Sequence, residues 1–197
     1  MYQTYVAHTV TDDAAIITAA RAGDAEAFGA LVERHQEAAF RAAYLLLRDA
    51  HAAEDVAQEA FMRVYRRLGD FRDGATFRPW LLRIVQRLAL NELRSRTRRA
   101  GLRERVRAFA GRSAEPPHDE VAAADEASTL LRAIADLPVD DRVVLHLRYF
   151  LELPEREIAA AIGRPPGTVK SRLHRAAQRL RAVIEDRYPA LTERNDG

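Results

Sequence analysis

Cysteine is absent from the chain, which excludes disulfides, thiolate metal sites and thiol catalysis. Long apolar runs are absent as well. No stretch approaches the ~20 residues a helix needs to cross a bilayer, so no membrane insertion is expected. Residues 1–13 lack the basic and then apolar segments of a secretion signal, and a cytoplasmic protein is expected. Strand patterning is scarce, because β-branched and aromatic residues alternate nowhere for long while helical spacing recurs; the chain reads as all-α. Lysine is reduced to Lys170 beside many arginines, a usage that with the abundant alanine reflects genome composition.

What is present bounds the answer further. The 197 residues suffice for one domain or two small ones, and 48% hydrophobic residues suffice for a core. The net charge of +2 conceals a separation of acids and arginines into different segments. A pI of about 9.2 suits a polyanionic partner.

Residues 153–180, LPEREIAAAIGRPPGTVKSRLHRAAQRL, are the most informative stretch. A helix is predicted over 154–161, with Pro154 at its first position. Gly163 supplies the permissive backbone of a helix end, and Pro165 and Pro166 stop that helix and start another. The second helix is predicted from 167 to about 181. Val169, Leu173, Ala176 and Leu180 form its apolar stripe. Thr168, Lys170, Ser171, His174, Arg175, Gln178 and Arg179 occupy the other side, which carries no acid. Helix, glycine turn and polar basic helix describe a helix-turn-helix whose outer donors suit phosphates and base edges. An ordinary helical hairpin with a solvated face has the same pattern.

Upstream, a helix is predicted over 13–22, ended by Gly23, and Asp24 caps the next one. That helix has a stripe of Phe28, Leu31, Val32, His35, Phe40, Ala43, Tyr44 and Leu47, where His35 reads as a packed side chain rather than a ligand. Asp49 caps AHAAEDVAQEAFMRVYRRL, in which Val56, Ala60, Val64 and Leu68 face inward. Asp55, Gln58, Glu59, Met62 and Arg66 gather opposite, with Glu54 on the flank. An outward methionine among acids suits a protein partner; a solvated face is the plainer reading. A metal site at His51, Glu54, Asp55 and Glu59, or a metal-dependent helical enzyme using the first three, lacks a second ligand helix. No resident metal, cofactor or catalytic group is expected.

Residues 69–76 form a loop with Phe71, Arg72, Asp73 and Gly74. Thr76 precedes a helix whose inward stripe is Phe77, Leu81, Ile84 and Leu88. Arg83, Arg87, Arg94 and Arg98 share its outer face with Asn91. Aromatics beside an arginine stripe, Trp80 among them, suit single-stranded nucleic acid, because bases stack on rings while phosphates pair with guanidinium groups. The alternative places Phe77 and Trp80 in the core. From about residue 99 to 128 the composition passes from arginine-rich to acidic and alanine-rich, as in a flexible linker. Beyond it, Leu130, Leu131, Ile134 and Leu137 make one helix face. Asp140 and Asp141 then open a helix with Val144, Leu145, Leu147 and Phe150 inward.

EIAAAIGRPPGTVKSRLHRA resembles the DNA-reading part of region 4 of bacterial sigma factors, especially the extracytoplasmic-function group. Alone it also fits a response-regulator output domain. DAHAAEDVAQEAFMRVYRRL resembles the part of sigma region 2 that docks on the clamp helices of RNA polymerase. FRPWLLRI followed by LALNELR resembles the segment that captures the minus-10 element. One departure is Gln86-Arg87, where many members carry Arg-Asn. The two blocks, 24–99 and 127–182, occur in the family's order, and a response regulator has no counterpart to the first.

The resemblance implies a non-catalytic sigma factor with two small helical domains, region 2-like and region 4-like, joined by a flexible linker. Its expected layout is 1–99, linker 100–126, 127–190 and tail 191–197. Core RNA polymerase would meet Glu54, Asp55, Gln58, Glu59 and Met62. Minus-10 DNA would meet Phe71, Arg72, Asp73, Gly74, Thr76, Trp80, Arg83, Arg87, Asn91, Arg94 and Arg98. Minus-35 DNA would meet Thr168, Lys170, Ser171, Arg172, His174, Arg175 and Arg179. An inhibitory anti-sigma partner is also implied. The rival from a different class is a stand-alone dimeric regulator, which requires a palindromic site.

Overall fold

The computed structural model describes residues 13–109 and 126–191, with side chains for 13–101 and 128–191. The expected leader 1–12, residues 110–125 of the expected linker and 192–197 of the tail lie outside the described residues. The regular structure among the described residues is all helical, without strands. Helix α1 (Asp13–Arg21) leads through Gly23, at φ 97°, into α2 (Ala25–Leu47). The Asp24 carboxylate accepts from the amides of Glu26 and Ala27 at 2.9 and 3.0 Å, satisfying donors that a helix start leaves open. Asp49 does the same for α3 (Ala50–Arg67), accepting from Ala52 at 3.1 Å. A 3-10 turn (Leu68–Asp70) and a loop then lead to α4 (Phe77–Phe109), which starts directly after Thr76. It continues past Arg99, so residues 100–109 of the expected linker are helical.

Helices α2, α3 and α4 pack on one another, with α1 laid on α2. Leu31, Ala39, Ala43, Ala53, Ala60, Val64, Phe77 and Leu81 are fully enclosed. The four expected inward positions of α3 are buried, and Phe61 joins them. On α2, Tyr44 was expected inward but is 37% exposed, while Ala39, Ala42 and Leu46 face the core. On α4 the buried face is Phe77, Leu81, Leu82, Val85, Gln86 and Ala89; Ile84 and Leu88, expected in the inward stripe, are only half-buried. The face is wider than one stripe because α4 is covered by α2 and α3 and also by a helix of the second unit.

The second unit comprises α5 (Glu126–Ala135), α6 (Val139–Leu145), α7 (Glu155–Ile162) and α8 (Pro166–Arg187). On α5, Leu130 was expected inward but is 37% exposed, and Ala133 is enclosed instead. Helix α6 passes into a π-helical turn (His146–Phe150). Gly163 ends α7 at φ 64°, a left-handed conformation that side chains resist. Pro165 and Pro166 open α8, which runs beyond residue 181 to Arg187. Val169 and Ala176 are buried; Leu173 and Leu180 are half-buried.

The two units meet. Helix α7 packs on α4, and Val143, Leu147, Leu151, Leu153, Ile158 and Val169 belong to the same apolar cluster as the core of the first unit. The Arg78 guanidinium donates to the Leu151 carbonyl at 3.2 Å. A Cβ at Gly163 would lie 2.9 Å from Nη2 of Arg83, so glycine permits this approach as well as the turn.

His146 lies in this neighbourhood, 4% exposed, with its ring edge-on to Phe150 at 5.4 Å. Its Nδ1 has no hydrogen-bond partner among the described residues. Burial, with the positive charges of Arg142 and Arg48, pushes its pKa down to about 4. An unfolded histidine titrates near 6.5. Between those values the unfolded chain takes up a proton that the folded one refuses, so acidification removes stability. Stability is expected to fall from about pH 6.5 to pH 4, by an amount on the order of 3 kcal/mol. His146→Leu should flatten that limb, which urea denaturation of both proteins across the window would measure.

Candidate functional site

Helix α3 turns Val56, Ala60 and Val64 into the core and thereby turns Glu54, Asp55, Gln58 and Met62 outward. Met62 is 51% exposed. Glu59 is half-buried and accepts from Arg63 Nε at 2.7 Å, one turn along. The acidic face thus exists as a continuous surface. Beside it, between α2 and α3, runs a groove floored by Val32, Phe40, Ala57 and Phe61 with Glu37 and Glu54 at its edge. His51, Glu54, Asp55 and Glu59 form no metal-holding cluster, and no group of three or more His, Asp or Glu side chains placed to hold a metal occurs among the described residues.

Helix α4 displays Arg83, Arg87, Asn91, Arg94 and Arg98, all exposed. Glu92 on this helix is neutralised locally: it accepts from Arg96 at 3.0 Å and Arg99 at 2.8 Å, and Arg96 also donates to Asp49 at 3.0 Å. Those arginines belong to the scaffold, whereas Arg87 and Asn91 stand exposed and the Arg83 guanidinium lies against Gly163 of the second unit. Arg94 and Arg98 also border a groove with Leu90, Leu93 and Val139, where α4 faces α6.

The loop at 71–76 differs from expectation at Phe71. Its ring is 6% exposed and packs on Trp80 at 5.0 Å and Phe77 at 5.9 Å. Stacking on a base is therefore not open to Phe71 in this conformation; three rings share one enclosed cluster because each buries more apolar area there than in water. Trp80 is half-buried at the edge of the cluster. Arg72, Asp73 and Gly74 are exposed, Thr76 half-buried, and Gly74 turns at φ 74°. Arg21, which the sequence reading did not single out, reaches this loop from α1. It donates to the carbonyls of Leu68, at 2.9 Å, and Phe71, and to Asp73 Oδ1 at 2.6 Å. No local pattern could have found it, since its partners lie about fifty positions downstream.

On α8, burial of Val169 and Ala176 leaves Lys170, Ser171, His174 and Arg175 exposed and Thr168 half-buried. Ser171 donates to the Thr168 carbonyl at 3.0 Å, and Arg175 to the Ser171 carbonyl at 3.2 Å, so these side chains lie along the helix surface. Two expected members are otherwise engaged. Arg179 pairs with the buried Asp141 of α6, and Arg172 lies 3.8 Å from Asp140. They brace α8 against α6.

Residues 31–99 match the family model of sigma-70 region 2, and residues 128–180 that of sigma-70 region 4. The chain is 32% identical over 172 residues to the ECF RNA polymerase sigma factor SigW of Bacillus subtilis, spanning 83% of this chain and 92% of that protein. It is 34% identical over 193 residues to the RNA polymerase sigma-H factor of Pseudomonas aeruginosa, spanning 94% and 98%. Among solved structures it is similar to CnrH in complex with the cytosolic domain of CnrY, with a TM-score of 0.63, 28% identity and coverage of 89% of this chain and 98% of the other. It is also similar to the sigma factor RpoE of Bartonella quintana bound to the anti-sigma factor NepR, with a TM-score of 0.57, 25% identity and coverage of 80% and 96%.

Proposed function

Because the chain belongs to the extracytoplasmic-function group of sigma-70 factors, we propose that its two helical units divide promoter recognition between them. A factor of this group is a non-catalytic subunit of RNA polymerase that directs promoter recognition, local DNA opening and initiation. The finer assignment of residues is our reading. The unit at 1–99 meets the polymerase through Glu54, Asp55, Gln58, Glu59 and Met62. It holds the opened minus-10 strand against Arg72, Asp73, Gly74 and Thr76, the edge of Trp80, and the arginine face of α4. Phe71 supports that loop from beneath instead of stacking on DNA. The unit at 127–190 reads the minus-35 duplex through Lys170, Ser171, His174 and Arg175, with Thr168 at the helix start. Arg172 and Arg179 position α8. The protein works in the cytoplasm, where the polymerase and chromosome are, and an anti-sigma partner holds it inactive.

One observation carries this reading: acids on α3 and arginines on α4 occupy separate exposed faces of one packed helical unit. Such a separation lets one body meet a basic protein surface and a polyanion together. Each unit alone offers few contacts, so promoter affinity depends on both being mounted on the polymerase. Run-off transcription with core polymerase and a promoter library tests it. New start sites are expected only when the chain is present, with little promoter binding by the chain alone. Tight sequence-specific binding without polymerase, or no initiation with it, overturns the reading.

A further inference from the structure

We propose that Arg21 is a positioning residue for capture of the opened promoter strand: from α1 it sets the shape and charge of the 68–73 segment. The proposal rests on the reading of residues 71–76 as the strand-holding loop.

Arg21 ends α1, and its side chain is 23% exposed. One planar guanidinium serves three acceptors along six residues. Nε donates to the Leu68 carbonyl at 2.9 Å, Nη2 to the Phe71 carbonyl, and Nη1 to Asp73 Oδ1 at 2.6 Å. The same group lies 5.9 Å from the centre of the Phe71 ring. Leu68 and Phe71 bracket the 3-10 turn, whose closing bond runs from the Phe71 amide to the Leu68 carbonyl at 3.2 Å. Arg21 therefore fixes both ends of the turn from which the loop departs.

The charge matters as much as the shape. The Asp73 side chain is 91% exposed on a surface assigned to a polyanion. Unpaired, it would repel phosphate; beside Arg21 its charge is offset. The clamp is itself anchored. At the other end of α1, Asp13 accepts from Arg34 at 2.9 Å and lies 3.0 Å from His35 Nε2. Burial raises the Asp13 pKa, but the bonds and charges of His35 and Arg34 outweigh it and hold the carboxyl below its usual value. A lysine could replace the charge of Arg21 but not its fork, which binds along three directions in one plane.

The test uses the full chain on core polymerase and a fluorescent single-stranded oligonucleotide carrying the minus-10 sequence selected from the promoter library. Arg21→Ala, Arg21→Lys and the loop variant Arg72→Ala are compared. Both Arg21 variants are expected to bind the cognate strand about tenfold more weakly and to discriminate less against single-base changes, with core affinity unchanged. Loss of core affinity and strand affinity in equal proportion would mark a merely structural residue and overturn the proposal, as would full discrimination in Arg21→Lys. Intact discrimination in Arg21→Ala with a loss in Arg72→Ala refutes the role of Arg21 and leaves the loop reading standing. No loss in either removes both.

Discussion

Reversing Asp55 and Glu59 together to lysine is expected to abolish binding to core polymerase while leaving the helix content intact. Both positions lie on the outer face of α3, away from Val56, Ala60 and Val64, so neither change touches the core. The local cost is small. Glu59 loses its pair with Arg63, an interaction between groups 39% and 44% exposed. A like-charge pair one turn apart costs about 0.2–0.5 kcal/mol. At the proposed polymerase interface, two attractive contacts would become repulsive, and truncating charges in buried pairs of this kind costs about 2–5 kcal/mol. The affinity should fall by about a hundredfold or more. A pull-down with core polymerase, read beside far-ultraviolet circular dichroism, checks it; retained binding removes α3 as the docking face.

Phe77→Ala should have the largest effect on stability. Phe77 is 1% exposed, and its ring meets His35 at 4.9 Å and Phe71 and Trp80 at 5.9 Å. Removing an enclosed phenylalanine costs about 3–5 kcal/mol through lost burial and a cavity that neighbours only partly refill. For a chain of this length the midpoint of thermal unfolding should fall by about 10 °C. Trp80→Ala, at the half-exposed edge of the same cluster, should cost less. Because Phe71 rests on Phe77, the loop above should loosen as well, visible as faster hydrogen exchange of the amides from 68 to 76. A loss below about 1 kcal/mol would mean that the ring cluster does not hold the unit together.

Much of the fold was legible because its signals are local. Asp24 and Asp49 declare helix starts by chemistry that operates within three residues. Gly163, Pro165 and Pro166 mark the break between α7 and α8 for reasons of backbone geometry alone. The outward acids of α3 and arginines of α4 follow from helical period, once the apolar side is known. The errors arose where a helix has more than one neighbour. Helical spacing puts Ile84 and Leu88 in the inward stripe of α4, yet α2, α3 and α7 together bury a broader and rotated face. Phe71 stands in a glycine-containing loop, which suggests a ring available for stacking, yet it packs on two aromatic rings, Phe77 and Trp80.

The sequence by itself determined the helices, their order, the two charged faces and the family, because propensity, capping, period and motif are properties of neighbours along the chain. Tertiary structure alone decided that the units share a core through α4 and α7. It also decided that Arg179 braces α8 through Asp141 rather than standing free, and that Arg21 holds a loop about fifty residues away. These outcomes depend on which surfaces meet. Packing and directed hydrogen bonds join positions whose distance in sequence carries no information about their distance in space.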